Sequence, residues 1–304
     1  MIYTITLNPA LDHTVWVSAF QKGQTNRAER ESCTAGGKGI NVSLMLATLG
    51  VASTALGFLA GFTGAEIEKE LQNDLITPSF IHLKSGFSRI NIKIQGKNES
   101  EINCPGPAVD AASLDRFFHK LHAIQDSDAL VLAGNIPSTL PDDTYARVLQ
   151  AVQSKRVQTV VDASGKLLSD SLAYRPFLIK PNRQELSELF GTPIYNRHDA
   201  ERCARELKKA GAQNVLVSLG GDGALLIDEF DRLHTAGTLP GTVKGTVGAG
   251  DSMVAGFLAG WHKTGDYTTA FRLANACGMA TAFSDWLGDK QTIDRCFSTL
   301  NTSL

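Results

Sequence analysis

The sequence predicts an α/β fold built on a mostly parallel sheet, and the alternation of two kinds of segment carries this prediction. Short apolar runs at residues 129–133, 157–161, 177–179 and 215–219 alternate with segments of helical character at 142–153, 184–190 and 200–210. Strands and helices that alternate at this spacing form βαβ units, whose helices cover both faces of a parallel sheet. A first strand is predicted at 3–7, and two further helices at 249–263 and 268–283.

Two segments, at 14–17 and 88–103, have strand character with no helix between them. In the second, Ile90, Ile92 and Ile94 alternate with polar residues, which is typical of a sheet with one solvated face. We predict a small antiparallel β flap, inserted at about 12–34 and 86–104, that lies over the mouth of the main sheet as a lid. Because no Pro/Gly/Ser-rich linker interrupts the chain, residues 1–304 are expected to form one domain.

Composition excludes several classes of function. The 29 Lys and Arg residues nearly balance 31 Asp and Glu residues, so the basic excess of nucleic-acid-binding proteins is missing. A hydrophobic fraction of 43% without low-complexity tracts excludes a disordered chain. The five cysteines are far apart and form no C-x-x-C pair, which favours reduced thiols in a cytoplasmic protein.

The uncharged stretch 42–65 is long enough to cross a membrane, but glycine, serine and threonine interrupt it. A helix that ends before Gly50, followed by a buried strand at 53–58, explains it better. The first residues also lack the basic segment of a secretory signal. We therefore expect no membrane association.

The strongest motif is TVGAGDS at 246–252, which leads into an apolar helix. Small residues let backbone N–H groups converge at the positive end of a helix, where they bind phosphate or developing oxyanion charge. The carboxylate of Asp251 can take a proton from an attacking hydroxyl there. The alternative is a tight glycine turn with an acid in the first helical turn.

Three weaker motifs point to the same kind of site. AGGKGIN at 35–41 opens a helix and suits close approach of an anionic or hydroxylated ligand, or else is a flexible turn with a solvated lysine. KPNRQE at 180–185 fits either a capping box or polar groups near magnesium-bound phosphates. SLGGDG at 218–223 is a strand end with a glycine turn, typical of a hairpin into 224–227.

In this order and spacing, the segments resemble the PfkB (ribokinase-like) family of carbohydrate kinases over essentially the whole chain. GGKGIN at 36–41 matches the first family motif, and TVGAGDSMVAGF at 246–257 matches the second. TLNPALD at 6–12, SRINIK at 88–93 and EINCPGP at 101–107 are similar to the branch that acts on phosphorylated ketohexoses. The resemblance implies a ribokinase-like three-layer sandwich. It also implies transfer of a phosphoryl group from ATP, with Mg²⁺, to the 6-hydroxyl of fructose 1-phosphate, which yields fructose 1,6-bisphosphate and ADP.

The resemblance further implies roles for individual residues. Asp251 would be the catalytic base, with the backbone of Gly248, Ala249 and Gly250 as the anion hole. The implied sugar contacts are Asp12, Gly37, Lys38, Asn41 and Asn135, and the implied phosphate contacts are Arg89, Lys38 and Arg27. The implied nucleotide contacts are Lys180, Asn182, Ser218, Gly220, Gly221, Asp222, Gly223, Thr246, Gly250 and Asn275. Asn182 and Glu185 would place Mg²⁺ through water and phosphate, and the flap would carry a homodimer contact.

Three departures from the family pattern leave the sugar open. Asn135 replaces a serine that is common in relatives, and Gly245 and Cys104 also differ from the usual residues. A kinase for tagatose 6-phosphate or fructose 6-phosphate is therefore the alternative enzyme. A non-catalytic sugar-phosphate sensor would be expected to have lost Asp251 or the anion-hole glycines, and this chain keeps both.

Overall fold

The computed structural model describes residues 1–97 and 99–302. In chain order the strands are β1 (Ile2–Thr6), β2 (Ala10–Trp16), β3 (Arg30–Gly36), β4 (Ser53–Ala60), β5 (Ile76–Pro78), β6 (Ile81–Leu83), β7 (Arg89–Gln95), β8 (Ser100–Ile102), β9 (Ala129–Ala133), β10 (Gln158–Asp162), β11 (Leu178–Ile179), β12 (Asn214–Ser218), β13 (Ala224–Ile227) and β14 (Leu233–Ala236). The helices are α1 (Lys38–Thr48), α2 (Gly61–Glu70), α3 (Ala111–Lys120), α4 (Thr144–Val152), α5 (Gly165–Ser171), α6 (Arg183–Phe190), α7 (Arg197–Lys209), α8 (Ala249–Thr264), α9 (Tyr267–Ala282) and α10 (Lys290–Thr302).

The main sheet has the strand order β14-β13-β12-β11-β10-β9-β1-β4-β5, and β6 also pairs with β4. The strands from β12 to β5 are parallel, whereas β13 and β14 form an antiparallel edge that begins with a hairpin after β12. This confirms the mostly parallel sheet that the alternating segments predict. The boundaries agree to within about three residues, because frayed element ends are the least determined part of a pattern.

Helices cover both faces of this sheet, so the protein is a three-layer sandwich. In β9, Leu130 and Leu132 pack into a core formed with α3 to α7, while Ala129 and Val131 pack into a second core with α1, α8, α9 and α10. Alternate side chains of a strand point to opposite faces, which is why a wholly apolar run can supply both cores. The pattern of the sequence does not predict α2, α3, α5 and α10, and α2 begins with the weak helix formers of GFTG.

A second sheet, which we call the lid, contains β2, β3, β7 and β8 in the order β3-β2-β7-β8. Two of its three strand pairs are antiparallel, as predicted, but the central pair β2 and β7 is parallel. The reason is that β2 follows β1 and β7 follows β6, and β1 and β6 both run parallel to β4. Both lid strands therefore leave the main sheet in the same direction.

The polar side of β7 is the second departure from the predicted flap. Asn91 and Lys93 are buried and line the cleft between the two sheets, so this face is not open to bulk solvent. The stretch 42–65 forms α1, β4 and the start of α2, as expected for a buried segment. None of the helices within the described ranges is long and apolar enough to cross a membrane.

Candidate active site

A cavity of about 960 Å³ lies where the carboxyl ends of the parallel strands face the lid. Thr6, Ala133, Asp162 and Ser218 each end a strand of the main sheet, and all four line the cavity. From the lid come Asp12, Arg89, Asn91, Lys93 and Glu101. Ligands of open α/β sheets bind at this edge, because loops and helix N-termini converge there.

Asp251 lies in the first turn of α8 and is buried in the cavity wall. The Asn41 Nδ2 atom donates a 2.7 Å hydrogen bond to the Asp251 Oδ2 atom. Burial, and then the negative charge of Asp162, raises the pKa of the Asp251 carboxyl to about 6. Such a carboxyl is ionised at neutral pH, yet it is basic enough to accept a proton from a hydroxyl as that hydroxyl attacks.

Asp162, at the end of β10, holds two lysines at the floor of the cavity. Its Oδ1 atom is 3.1 Å from Lys38 Nζ and 3.4 Å from Lys180 Nζ. Burial alone would raise the pKa of Asp162, but the two ammonium groups bring it below the ordinary value. Burial also acts to lower the pKa of Lys38, but the charges of Asp162, Asp251 and Glu185, together with the hydrogen bond to Asp162, more than offset this, so the lysine stays protonated. The arrangement presents two fixed positive charges beside Asp251.

The glycine-rich turn before α8 brings its backbone against these groups. Gly248 has a φ of 78°, which lets the chain enter the helix through the left-handed region. A Cβ on Gly250 would lie 2.9 Å from Lys180 Nζ, so a larger residue would push the ammonium away from the helix N-terminus. The Ala249 N–H donates to the Thr246 carbonyl at 3.2 Å, which is the closing bond of the turn. This bond occupies the Ala249 N–H of the predicted anion hole, whereas the N–H of Gly250 has no acceptor one turn earlier in the helix and is suited to an anion.

The glycines at the start of α1 allow a similarly close approach. A Cβ on Gly36 would lie 2.6 Å from the Asp12 carboxyl carbon, and one on Gly39 would lie 2.7 Å from the Ile5 carbonyl oxygen. Gly37 has a φ of 119°, a conformation that other residues rarely adopt. The run therefore brings Lys38 and Asn41 beside the end of β1 and against the lid.

On the lid, Asp12 accepts two hydrogen bonds from β7. Asn91 Nδ2 donates to Oδ1 at 2.9 Å, and Lys93 Nζ donates to Oδ2 at 2.7 Å. Arg89 lines the same cavity, and its Nε atom donates to the Asn8 carbonyl at 3.1 Å. Within the described part of the chain, no carboxylate forms an ion pair with Arg89. Arg89 is therefore a cationic group of the lid that lines the cavity and is available to an anionic ligand.

Unsatisfied polar atoms collect in this cavity. Buried polar groups nearly always have hydrogen-bond partners, so orphaned ones mark places where a ligand or water completes the structure. Of the six such side-chain atoms among residues 1–97 and 99–302, four belong to cavity residues: Thr6 Oγ1, Asn41 Oδ1, Asn91 Oδ1 and Asp162 Oδ2. These atoms can bind the hydroxyls of a polar ligand.

The other end of the cavity is lined by glycine turns and apolar side chains. Ser218, Gly220, Gly221, Gly223, Thr246 and Asn275 all line it, together with Lys180 and Asn182. Leu239, Val243, Met279 and Phe283 provide the apolar surface. The Asn275 Nδ2 atom donates to the Gly237 carbonyl at 3.1 Å, which fixes the loop after β14. An apolar wall beside glycine-rich turns suits a nucleotide.

Comparison with known proteins identifies the family. The model described as pfkB family carbohydrate kinase matches residues 5–287. The chain belongs to the pfkB family of carbohydrate kinases. It is 42% identical over 295 residues to 1-phosphofructokinase of Bacillus subtilis, with 97% of each chain covered. It is 38% identical to D-tagatose-1-phosphate kinase of Bacillus licheniformis, with 98% of each covered.

Solved structures place the fold in the same family. The structure of phosphofructokinase-2 from Escherichia coli in complex with fructose-6-phosphate has a TM-score of 0.91 and 26% identity, with 99% of each chain covered. The ribokinase-like architecture implied by the two motifs is thereby confirmed. As a family member the protein is a phosphotransferase whose acceptor is an alcohol group.

Most residues that the family motifs implicate come together in the cavity of this kinase, but three do not. Arg27 is exposed in the segment between β2 and β3 and does not line the cavity. Asp222 points away from it and pairs with Arg183, because the turn that presents Gly220 and Gly221 turns this side chain outward. Glu185 caps α6, where its Oε2 atom accepts the Asn182 N–H at 2.8 Å. The capping-box interpretation of this motif is correct.

The sequence motifs miss Asp162, Asn91 and Lys93 as site residues. A signal for Asp162 exists, since it is a charged residue at the carboxyl end of a predicted apolar strand. Asn91 and Lys93 alternate with isoleucines and fit an exposed face equally well. Only their burial against Asp12 assigns them to the kinase site.

Proposed function

We propose that this kinase phosphorylates fructose 1-phosphate at its 6-hydroxyl with ATP, giving fructose 1,6-bisphosphate and ADP. The observation that carries the proposal is one cavity lined both by Asp251, a buried carboxylate with a raised pKa, and by the lid residue Arg89, which forms no ion pair with any described residue. A substrate with a free hydroxyl and a phosphate at its two ends matches this arrangement. The relatives named 1-phosphofructokinase and D-tagatose-1-phosphate kinase support a phosphate at C1.

Asp251 acts as the base in this proposal. Its carboxylate takes the proton of the 6-hydroxyl as the oxygen attacks the γ-phosphorus, and the bond from that phosphorus to the oxygen bridging the β-phosphate breaks. The hydrogen bond from Asn41 orients the carboxylate. Lys180 and the backbone N–H groups of Gly248 and Gly250, at the entry to α8, stabilise charge on the moving phosphoryl group. The Ala249 N–H holds the turn in place through its bond to the Thr246 carbonyl. Closure of the lid keeps water from the reaction.

Recognition of the sugar phosphate is shared between the lid and the main sheet. Arg89 pairs with the phosphate, and a guanidinium suits a phosphate because it offers several donors in one plane. The sugar hydroxyls bind the polar groups that face the acceptor site: Asp12, Lys38, Asn41, Asn135 and the backbone of Gly37. The unsatisfied oxygens of Asn41 and Asn91 provide acceptors for those hydroxyls.

ATP occupies the other end of the cavity, against Ser218, Gly220, Gly221, Gly223, Thr246 and Asn275. Mg²⁺ neutralises charge on the ATP phosphates when it is bound. Mg²⁺ keeps several of its waters and binds few protein oxygens, and no cluster of three acidic, histidine or cysteine side chains occurs in the described ranges. Asn182 lines the cavity, whereas Glu185 lies outside the cavity lining and holds the cap of α6, so a contact between Glu185 and Mg²⁺ would have to pass through water.

The lid also suggests how two copies of the chain associate. The first four residues of β3 are exposed, and β3 is an edge strand of the lid. Exposed edge strands pair readily with other strands. We propose a homodimer formed through the lid, by a chain that folds as one domain over residues 1–304.

The cytoplasmic location inferred from the cysteines stays a prediction; all five are free thiols.

The test is an ADP-release assay with MgATP against fructose 1-phosphate, tagatose 1-phosphate, fructose 6-phosphate and tagatose 6-phosphate in parallel. The highest kcat/KM with fructose 1-phosphate supports the proposal. A preference for tagatose 1-phosphate would favour a D-tagatose-1-phosphate kinase, the activity for which the 38% identical relative is named. A preference for either 6-phosphate would contradict the proposal that the substrate carries its phosphate at C1. Binding of a sugar phosphate without turnover would indicate a sensor.

A further inference from the structure

The buried pair of Asp12 and Lys93 has no role in the transfer step described above. Lys93 Nζ lies 2.7 Å from Asp12 Oδ2, and the two side chains are 10% and 8% exposed, with Lys93 given first. The second oxygen of Asp12 accepts from Asn91. Each oxygen of the carboxylate thus accepts a hydrogen bond from a lid residue, and one of the two donors is the ammonium group of Lys93.

This pair lies beside the arginine of the lid. In the parallel pairing of β2 with β7, Ala10 is the partner of Arg89, Asp12 that of Asn91, and Thr14 that of Lys93. Asp12 is therefore between Arg89 and Lys93 along the strand. Burial lowers the pKa of Arg89, and the charge of Asp12 partly offsets this effect, so the carboxylate is within electrostatic reach of the guanidinium.

The charges on the cavity side of the lid have a simple consequence. Without Lys93, the negative charge of Asp12 would offset the positive charge of Arg89. The part of the cavity next to Arg89 would then carry almost no net charge. A phosphate brought to that place would then meet an uncompensated carboxylate in a poorly solvated site, where repulsion is strong. With Lys93 present, Asp12 is compensated and the charge of Arg89 remains for the ligand.

We propose that Lys93 is a specificity-determining residue that cancels the charge of Asp12, so that the cavity accepts a sugar already carrying a phosphate in preference to a neutral sugar. This inference rests on the proposed function and goes further by naming the residue that sets the charge of the sugar site. Lys93 acts through Asp12 and not by direct contact with the phosphate. That distinction makes the proposal testable by neutralising each charge of the pair in turn.

The experiment compares Lys93→Gln, Asp12→Asn and the double variant, with Lys97→Gln as the matched control. Lys97 is an exposed lysine in the turn after β7, so the control removes the same charge from the lid at a place outside the cavity. Calorimetry measures the binding of fructose 1-phosphate and of fructose to each variant. Thermal unfolding checks that each variant is folded.

We expect Lys93→Gln to weaken the binding of fructose 1-phosphate about 10- to 100-fold more than it weakens the binding of fructose, because the uncompensated charge of Asp12 acts on the phosphate at short range. Asp12→Asn should keep or increase the preference for the phosphorylated sugar, and the double variant should return to within about 3-fold of the wild-type preference, since both charges are then gone. Lys97→Gln should match the wild type. If Lys93→Gln does not fold because Asp12 is left unpaired, Asp12→Asn against the double variant still measures the charge effect.

Two outcomes overturn the proposal. If Lys93→Gln weakens the binding of fructose 1-phosphate and of fructose equally, the pair of Asp12 and Lys93 has only a structural role. A double variant with a preference well below that of the wild type would show direct contact between Lys93 and the phosphate. A wild-type protein that binds no sugar phosphate would refute the proposed function together with this inference, whereas variant effects that differ from expectation in an active enzyme refute the inference alone.

Discussion

Replacing Asp251 with asparagine separates the proposed catalytic role of this residue from its effect on stability. The asparagine has nearly the same shape, and its side-chain oxygen can still accept the hydrogen bond from Asn41. It cannot take a proton from a hydroxyl. We expect kcat to fall at least ~10²-fold, the usual contribution of a positioned general base.

The same change should stabilise the protein. Burial and Asp162 raise the Asp251 pKa from 3.8 to about 6, so the folded state binds this proton more tightly than the unfolded state. The carboxyl therefore lowers stability as the pH rises from about 4 to about 6, and the loss is complete above that range. The shift corresponds to about 3 kcal/mol at pH 7 and roughly half of that at pH 5. An asparagine at this position has no charge to bury, so the variant should regain this free energy.

Urea unfolding of the wild type and of Asp251→Asn at pH 7 and pH 5 measures the difference, and the ADP-release assay measures kcat. The expected result is a variant that is nearly inactive yet more stable, with the larger gain at pH 7. Unchanged turnover would refute the role of Asp251 as base. A variant less stable than the wild type at pH 7 would refute the origin of the raised pKa.

Three further predictions concern neighbouring groups. Arg89→Ala should raise the KM for the sugar phosphate at least ~10-fold and leave the KM for MgATP nearly unchanged, since the lost interaction is a charge-assisted phosphate contact; steady-state kinetics with each substrate varied will show it, and equal effects on both would contradict it. The kcat/KM of the wild type should decrease as the pH drops below about 6, where Asp251 becomes protonated. Asp162→Asn should move this decrease to lower pH, because removing the neighbouring carboxylate lowers the Asp251 pKa. A pH profile that does not move would contradict the coupling between the two carboxylates. Gly250→Ala should displace the Lys180 ammonium, because the added Cβ would lie 2.9 Å from its Nζ atom. We expect kcat to fall about 10²-fold while the melting temperature stays near that of the wild type. A fully active variant would show that the close approach of Lys180 to the helix is not needed.

The sequence was sufficient for the main architecture and for the residues that meet around Asp251 in the cavity. Wholly apolar runs such as ALVLA at 129–133 can only be buried on both faces, which requires helices above and below a parallel sheet. Glycines at 248 and 250 around Asp251 are local requirements of a helix N-terminus, and local requirements are written in contiguous residues. Asp251, Asn41 and Lys38 accordingly meet as their motifs predict.

The tertiary structure alone decided which charged residues act on one another. Asp162 and Lys38 are 124 positions apart, and Asp12 and Lys93 are 81 apart, so neither pair leaves a mark in any short segment. The polar residues of β7 fit a solvated face until the lid folds over the main sheet and buries them. Asp222 stands in a glycine motif, yet its turn points it at Arg183 and away from the cavity. Spacing along a chain reports which side of an element a residue occupies, whereas a charge takes its pKa and its partner from everything that folds around it.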